Sequence, residues 1–244
     1  MPDQPHSPAK GATPRRRASA PFRIDGDATD RRRALMHYLW RDHAILRQGW
    51  SNFGEIAPGI YRSNQPTRRR FEAYARMGIR TVINLRGREG FPHFLFAEES
   101  CADFGLTLIV AKLRARRAST TEHILGVIDA LRQAEPPMLL HCKSGADRTG
   151  LAAAIYILAI AGGTVDEARR QLTPRYLHFR STATGIQDYI IEVYAAAAAR
   201  SGIGFEDWVR RVYDWEEVQA GFDARRSAGD TAARLDDTSG AKPS

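Results

Sequence analysis

Pro137-Met138-Leu139-Leu140-His141-Cys142-Lys143-Ser144-Gly145-Ala146-Asp147-Arg148-Thr149-Gly150-Leu151 is the stretch on which the fold turns. Met138 to Leu140 reads as a buried strand, and Leu151-Ala152-Ala153-Ala154-Ile155 continues as a helix. The loop between them is made of small residues and ends in Arg148. A cysteine at a strand end, a glycine-bearing loop and an arginine at a helix start make an anion cradle. Backbone N–H groups from Lys143 to Arg148 can converge on one point, where the free amides and dipole of the following helix add positive potential.

The same field stabilises a thiolate, so the Cys142 pKa is expected to fall from about 8.5 into the range ~3.5–7.5 of such sites. Arg148, a planar fork of donors, can hold two oxygens of a tetrahedral anion while charge redistributes. The expected anion-binding set is Lys143, Ser144, Gly145, Ala146, Asp147 and Arg148.

At these residues the chain resembles the cysteine-dependent protein tyrosine and dual-specificity phosphatases, whose signature is His-Cys, five residues, Arg, Ser or Thr, and Gly. Cys142, Arg148, Thr149 and Gly150 match it. The resemblance implies a phosphomonoester hydrolase in which Cys142 attacks phosphorus, a phosphocysteine forms and water resolves it. It implies that Thr149 helps release the thiolate and that His141 orients the loop and tunes the cysteine. Tyr61-Arg62-Ser63-Asn64-Gln65-Pro66 and Ile83-Asn84-Leu85-Arg86 also resemble segments of the bacterial and atypical dual-specificity branch. No cofactor and no metal are expected.

The whole chain sets the frame. Its 244 residues allow one good core. Cys101 and Cys142 are the two cysteines, too few for a disulfide framework, so a reducing compartment and a cytoplasmic enzyme are expected. The longest apolar run, Leu151 to Ala161, is too short to span a bilayer. The net charge of +8 favours anionic partners: phosphoproteins, phosphoinositides or acidic membrane surfaces. Nucleic acid is not the expected partner.

Along the chain, residues 1–29 read as a disordered basic tail rich in Pro, Ser, Ala and Arg. Residues 30–225 read as the phosphatase domain, opening with an amphipathic helical cover over Ala34 to Leu46. Residues 226–244 return to Ala, Gly, Asp and Ser and read as a second tail. A turn and first strand are expected near 55–63, then a helix over 67–77 stopped by Gly78, and a strand over 81–86. A helix over 91–104, a strand over 106–111 and a helix over 122–134 follow. The rest reads as helices over 149–161, 164–172, 182–200 and 205–219. The fold class is α/β: a mostly parallel central sheet of about four to five strands flanked by helices, dual-specificity phosphatase-like, with a helical C-terminal half. Ligands in such sheets bind outside the carboxyl ends of the strands, where Cys142 falls.

The acid is the open point. Phosphatases of this superfamily usually bring an Asp from the loop after the strand that precedes the cysteine-bearing one. Here that loop, Lys112 to Thr121, holds no Asp or Glu. Asp147 is the substitute by resemblance to bacterial enzymes whose loop ends Asp-Arg-Thr-Gly, with loop or Arg148 pairing as its alternative role. Glu122 is a weaker candidate, as a first-turn helix residue. Lys112, Arg114, Arg116 and Arg117 make a basic rim resembling the lipid-directed branch, which leaves a phosphoinositide substrate open. A catalytically silent phospho-binding protein is the rival of a different class, and RNA triphosphatase, rhodanese-like and arsenate-reducing chemistry stand behind it. Arg62 and Arg86 are expected to contact substrate or brace the loop. His178, Arg180 and Thr184 can approach the site from the segment after the cysteine-loop helices, with structural roles expected, and Cys101, able to form a disulfide with Cys142 under oxidation, is expected as a helix residue packed in the core.

Overall fold

The computed structural model describes residues 22–87 and 90–239, with side chains through residue 228. Residues 1–21 of the first tail and 240–244 of the second therefore lie outside the described residues. Five strands, β1 (Gly54–Ala57), β2 (Ile60–Ser63), β3 (Thr81–Asn84), β4 (Thr107–Val110) and β5 (Met138–His141), form one sheet in the order β1-β2-β5-β3-β4. β5 lies at the centre, parallel to β2 and β3, and β4 is parallel to β3. Only β1 runs antiparallel. Residues 54–63 are therefore a hairpin and not the single strand read from the sequence. Pro58-Gly59 supplies its turn, with Gly59 at φ +77°, a conformation that needs no Cβ.

Helices cover both faces, and residue alternation along the strands divides the core in two. Val82 and Leu139 face Phe71, Tyr74, Ala97 and Cys101, which come from α2 (Arg68–Arg76) and α3 (Pro92–Asp103). Ile83 and Leu140 face the larger core of α4 (Thr121–Gln133), α5 (Asp147–Ile155), α6 (Val165–Arg169), α7 (Ile186–Ser201) and α8 (Phe205–Arg211). Its far end is an aromatic cluster in which Trp208 packs on Tyr194, Phe205 and Tyr213. Ends are set locally: the Thr67, Thr120 and Thr164 side chains accept amide hydrogens at the starts of α2, α4 and α6, and Glu167 closes a capping box with Thr164.

The N-terminal cover is α1 (Ala28–Met36), a π-helical turn over His37–Arg41 and a 3₁₀ turn over Ala44–Arg47. At the other end, the helix read over 205–219 is two helices, α8 and α9 (Trp215–Ser239). Val212 leaves helical geometry at φ −126°, and Asp214 Oδ1 accepts the Glu216 and Glu217 amides to start α9. α9 continues past residue 226, where the sequence reading begins a tail. Its Ala, Arg and Leu content favours helix over that stretch. Among the described residues no helix is long and apolar enough to cross a membrane.

Candidate active site

Cys142 leaves the sheet just past the carboxyl end of β5, whose last residue, His141, is level with Ser63 of β2 and Asn84 of β3. The loop from Cys142 to Ala146 then turns directly into α5, whose first residue is Asp147. Its carbonyl oxygens all face outward to donors. His141 Nδ1 donates to the Cys142 carbonyl at 3.4 Å, the Gln65 amide to Lys143 at 3.2 Å and Asn52 Nδ2 to Ser144 at 3.1 Å. Arg62 Nη2 donates to Gly145 at 2.8 Å and to Ala146 at 3.4 Å, and the Gly150 amide also reaches Ala146 at 2.7 Å. Peptide planes fixed in this way turn the N–H groups inward, and the Gly145 amide donates to Cys142 Sγ at 3.3 Å. The result is a ring of amide donors around a thiol at the start of a helix.

The wall that holds the loop is the buried run Arg62, Ser63, Asn64 and Gln65. Arg62 also bonds the Gln171 carbonyl at 2.9 Å and lies 3.6 Å from the centre of the Tyr176 ring. Burial lowers its pKa to about 10, still well above neutrality, so it braces the loop as a cation. Gly145 has φ +72°, and a Cβ there would lie 2.6 Å from the Asn64 nitrogen and 2.7 Å from the Ser63 carbonyl. Gly145→Ala is therefore expected to push the loop off this wall and lower kcat/KM by about 10²-fold, the scale of a lost anion donor. Vanadate binding, which reads the cradle alone, should weaken in parallel; wild-type kinetics in this variant would contradict the close approach.

Burial of Cys142 opposes ionisation, but Arg148, the Thr149 hydroxyl and amide and the Gly145 amide overcome it and hold the thiol below its ordinary pKa. The Thr149 hydroxyl is buried. His141 is fully buried, and burial pushes its pKa down to about 3. It is neutral at physiological pH, so its part in the geometry is the bond to the Cys142 carbonyl and not a positive charge.

Lys143 and Arg148 open into a cavity of about 760 Å³ shared with the cover and the loop after β4. Arg41, Arg86, Lys112, Arg114, Arg116 and Arg117 also line it, against a single carboxylate among the described residues, that of Asp42. The loop after β4 is tied down: Gln187 Nε2 donates to the Arg114 and Ala115 carbonyls at 3.0 Å, and the Tyr213 hydroxyl to Ser119 at 2.7 Å. Glu122 sits at the exposed start of α4, its pKa lowered by the Thr120 hydroxyl. Arg86 points to the cover, where Asp42 receives it (Nη1 at 3.1 Å) together with Arg47 at 2.5 Å, with Lys143 Nζ 3.8 Å away. Burial would raise the Asp42 carboxyl, yet Arg86, Arg47 and Lys143 hold it at about 2.

The hydrogen-bond partner of Asp147 is His178. Asp147 Oδ1 lies 2.8 Å from Nδ1 of His178, and Nε2 of the same ring lies 2.6 Å from Oδ2 of Asp188. Sequence reasoning missed this pairing and Asp42, because an isolated His in Tyr176-Leu177-His178-Phe179 and an Asp in a polar cover have no diagnostic spacing. Arg180 pairs with Glu192, and the Thr184 hydroxyl bonds that of Thr182, both outside the cradle. Cys101 is buried in the smaller core, where burial raises its pKa to about 12.

A family model described as PTP-SAK, Swiss Army Knife protein, DSP-PTPase phosphatase domain, matches residues 52–184, more than half of the 244. OCA1 of Mycosarcoma maydis, named provisionally as a tyrosine-protein phosphatase, is 32% identical over 104 residues, 41% of this chain and 64% of that one. Dual specificity protein phosphatase TpbA of Pseudomonas aeruginosa is 28% identical over 116 residues, 46% of this chain and 48% of that one. The matched region thus spans about half to two thirds of these curated relatives. A crystal structure of TpbA with pTyr aligns with a TM-score of 0.44 and 22% identity, over 54% of this chain and 82% of that one. The cradle built by residues 62–65 and 141–150 lies wholly inside the matched segment, and the chain belongs to the PTP-SAK family of DSP-PTPase phosphatase domains.

Proposed function

We propose that the protein hydrolyses phosphomonoesters on proteins, phosphotyrosine first and phosphoserine or phosphothreonine second, in the cytoplasm. The observation that carries this reading is the outward anchoring of all five carbonyls from Cys142 to Ala146 around a buried thiol whose pKa is depressed. An amide ring of this kind binds a dianion and an ionised sulfur in line with it. Cys142 attacks phosphorus, and the electron pair of the breaking P–O bond leaves with the product oxygen. Arg148 holds equatorial oxygens as charge spreads over them, and Thr149 stabilises the departing thiolate when water attacks the phosphocysteine. The names of OCA1 and TpbA support the tyrosine and dual-specificity assignment.

The eight cations that line the cavity among the described residues favour a second reading, a phosphoinositide whose further phosphates sit on Lys112, Arg114, Arg116 and Arg117. One assay separates the two: phosphate release from phosphotyrosine peptide, phosphoserine peptide, phosphoinositide vesicles and triphosphate-ended RNA, with Cys142→Ser as blank. The expected order puts phosphotyrosine peptide first. Faster release from vesicles would transfer the assignment to the lipid, and tight phosphopeptide binding without release from any substrate would make the protein a phospho-binding module.

A further inference from the structure

The leaving oxygen needs a proton, and a lone carboxylic acid of ordinary pKa holds one in about one molecule in a thousand at pH 7. Asp147 is not a lone carboxylate. His178 is enclosed, its side chain fully buried, and each ring nitrogen meets a carboxylate oxygen: Asp147 Oδ1 at 2.8 Å and Asp188 Oδ2 at 2.6 Å. Ionised carboxylates only accept hydrogen bonds, so both nitrogens carry hydrogen and the ring is an imidazolium.

We propose that His178, held between Asp147 and Asp188, is the proton store of the reaction, supplying the leaving oxygen through Asp147 and taking the proton back from water. The proposal rests on the reading of this protein as a phosphatase whose acid is Asp147. In the first half-reaction the Sγ–P bond forms, the P–O bond breaks and its electron pair stays on the leaving oxygen. The Nδ1 proton passes to Asp147 and on to that oxygen, leaving a neutral imidazole. In the second, a water oxygen bonds phosphorus, the S–P electron pair returns to sulfur, and the water proton passes through Asp147 to Nδ1. One proton leaves the store and one returns.

Chain geometry keeps the ring in place. Leu177 takes the left-handed conformation at φ +60°, which turns His178 inward after the 3₁₀ turn Pro174–Tyr176, and its amide donates to the Thr173 carbonyl at 3.3 Å. Asp188 lies in the first turn of α7. A cavity of about 770 Å³ is lined by His178 and Asp188 together with Arg169 of α6, Arg180 of the loop, Glu192 of α7 and Arg225 and Arg226 of α9. Glu192 receives Arg180 and, at 2.6 Å, Arg225. Burial by itself lowers the His178 pKa, and the bonds to Asp147 and Asp188 reverse this, raising it to about 9. The store is thus loaded at neutral pH and empties as pH rises through about 9.

The test is the pH dependence of kcat for the full chain on phosphotyrosine peptide and on p-nitrophenyl phosphate, whose product needs no acid. The wild type should lose phosphotyrosine turnover through an alkaline limb near 9. His178→Gln keeps a donor to Asp147 but holds no transferable proton. It should lose the limb and about 10²-fold in kcat on phosphotyrosine, the lower end of general acid catalysis, with p-nitrophenyl phosphate within a few-fold. Asp188→Asn should move the limb to lower pH. Equal losses on both substrates, or a limb unmoved by His178→Gln, would overturn the store. Asp147→Asn separates this from the reading beneath it: selective loss there with none in His178→Gln rejects the store alone, and no selective loss in Asp147→Asn rejects Asp147 as the acid. Nitrogen-15 shifts of the His178 ring in the unmodified protein need no variant. Two protonated nitrogens at pH 7 support the proposal, and one refutes it.

Discussion

Cys142→Ser is expected to bring phosphate release to the assay floor, a loss on the order of 10⁶, the scale seen when a hydrolase loses its catalytic serine. Binding should survive. The five carbonyl anchors of the loop belong to His141, Gln65, Asn52, Arg62 and the Gly150 amide, and none involves sulfur. Substitution alters the contacts that the Gly145 amide and the Thr149 amide and hydroxyl make with Sγ, and leaves the carbonyl anchors and the ring facing the ligand. A hydroxyl at the same place remains protonated, because the field that pulls a thiol below its ordinary range falls far short of ionising an alcohol. Titration calorimetry with phosphotyrosine peptide should give a Kd within a few-fold of the wild-type KM. The wild-type kcat/KM should also rise with pH through a limb below the ordinary thiol range, since a lowered pKa means thiolate above it. Turnover in Cys142→Ser comparable to wild type would remove the cysteine from the reaction.

The centre of the fold was legible because its signals are local. A short apolar strand, a small-residue loop and Arg-Thr-Gly on a helix specify β5, the cradle and α5 from neighbours in sequence, and Gly78 marks the end of α2 in the same way. Arg62 and Arg86 were both expected near the pocket, and the structure separates them: Arg62 braces the loop, whereas Arg86 lines the cavity and meets Asp42. What stayed hidden depends on packing between distant elements. Asp42 meets Arg86 across 44 positions, and Asp147 meets His178 across 31, so no spacing rule joins them. The β1–β2 hairpin was missed for another reason: four-residue strands around Pro58-Gly59 are too short to show alternation. The break at Val212 was hidden by apolar residues on both sides of it, which carry a helical pattern straight through.

Asp42→Ala should be the most destabilising single change in the cover, by about 3–5 kcal/mol, the usual result of removing one member of a buried ion pair. The carboxylate is nearly enclosed, at 7% exposure, and so are its partners Arg86 at 7% and Arg47 at 3%. Without it two buried guanidinium groups face each other with no counter-charge, and Lys143 loses the carboxylate 3.8 Å from its ammonium. The same site sets an acid limit on stability. The folded pKa of about 2 lies below the ordinary 3.8, so the stabilisation is complete above pH 4 and is lost as pH falls toward 2. A depression of this size is worth about 2–3 kcal/mol by linkage. Urea titrations at pH 7 and across pH 2–5 should therefore show wild type converging on Asp42→Ala in acid and separating from it at neutrality. A constant gap over that range would mean that the stabilisation comes from packing and not from charge. Because Arg86 and Lys143 both line the cavity beside the cradle, the variant should also raise KM for phosphotyrosine peptide more than it lowers kcat. A fall in kcat alone would place Asp42 in the chemistry, and an unchanged KM would detach the cover from substrate binding.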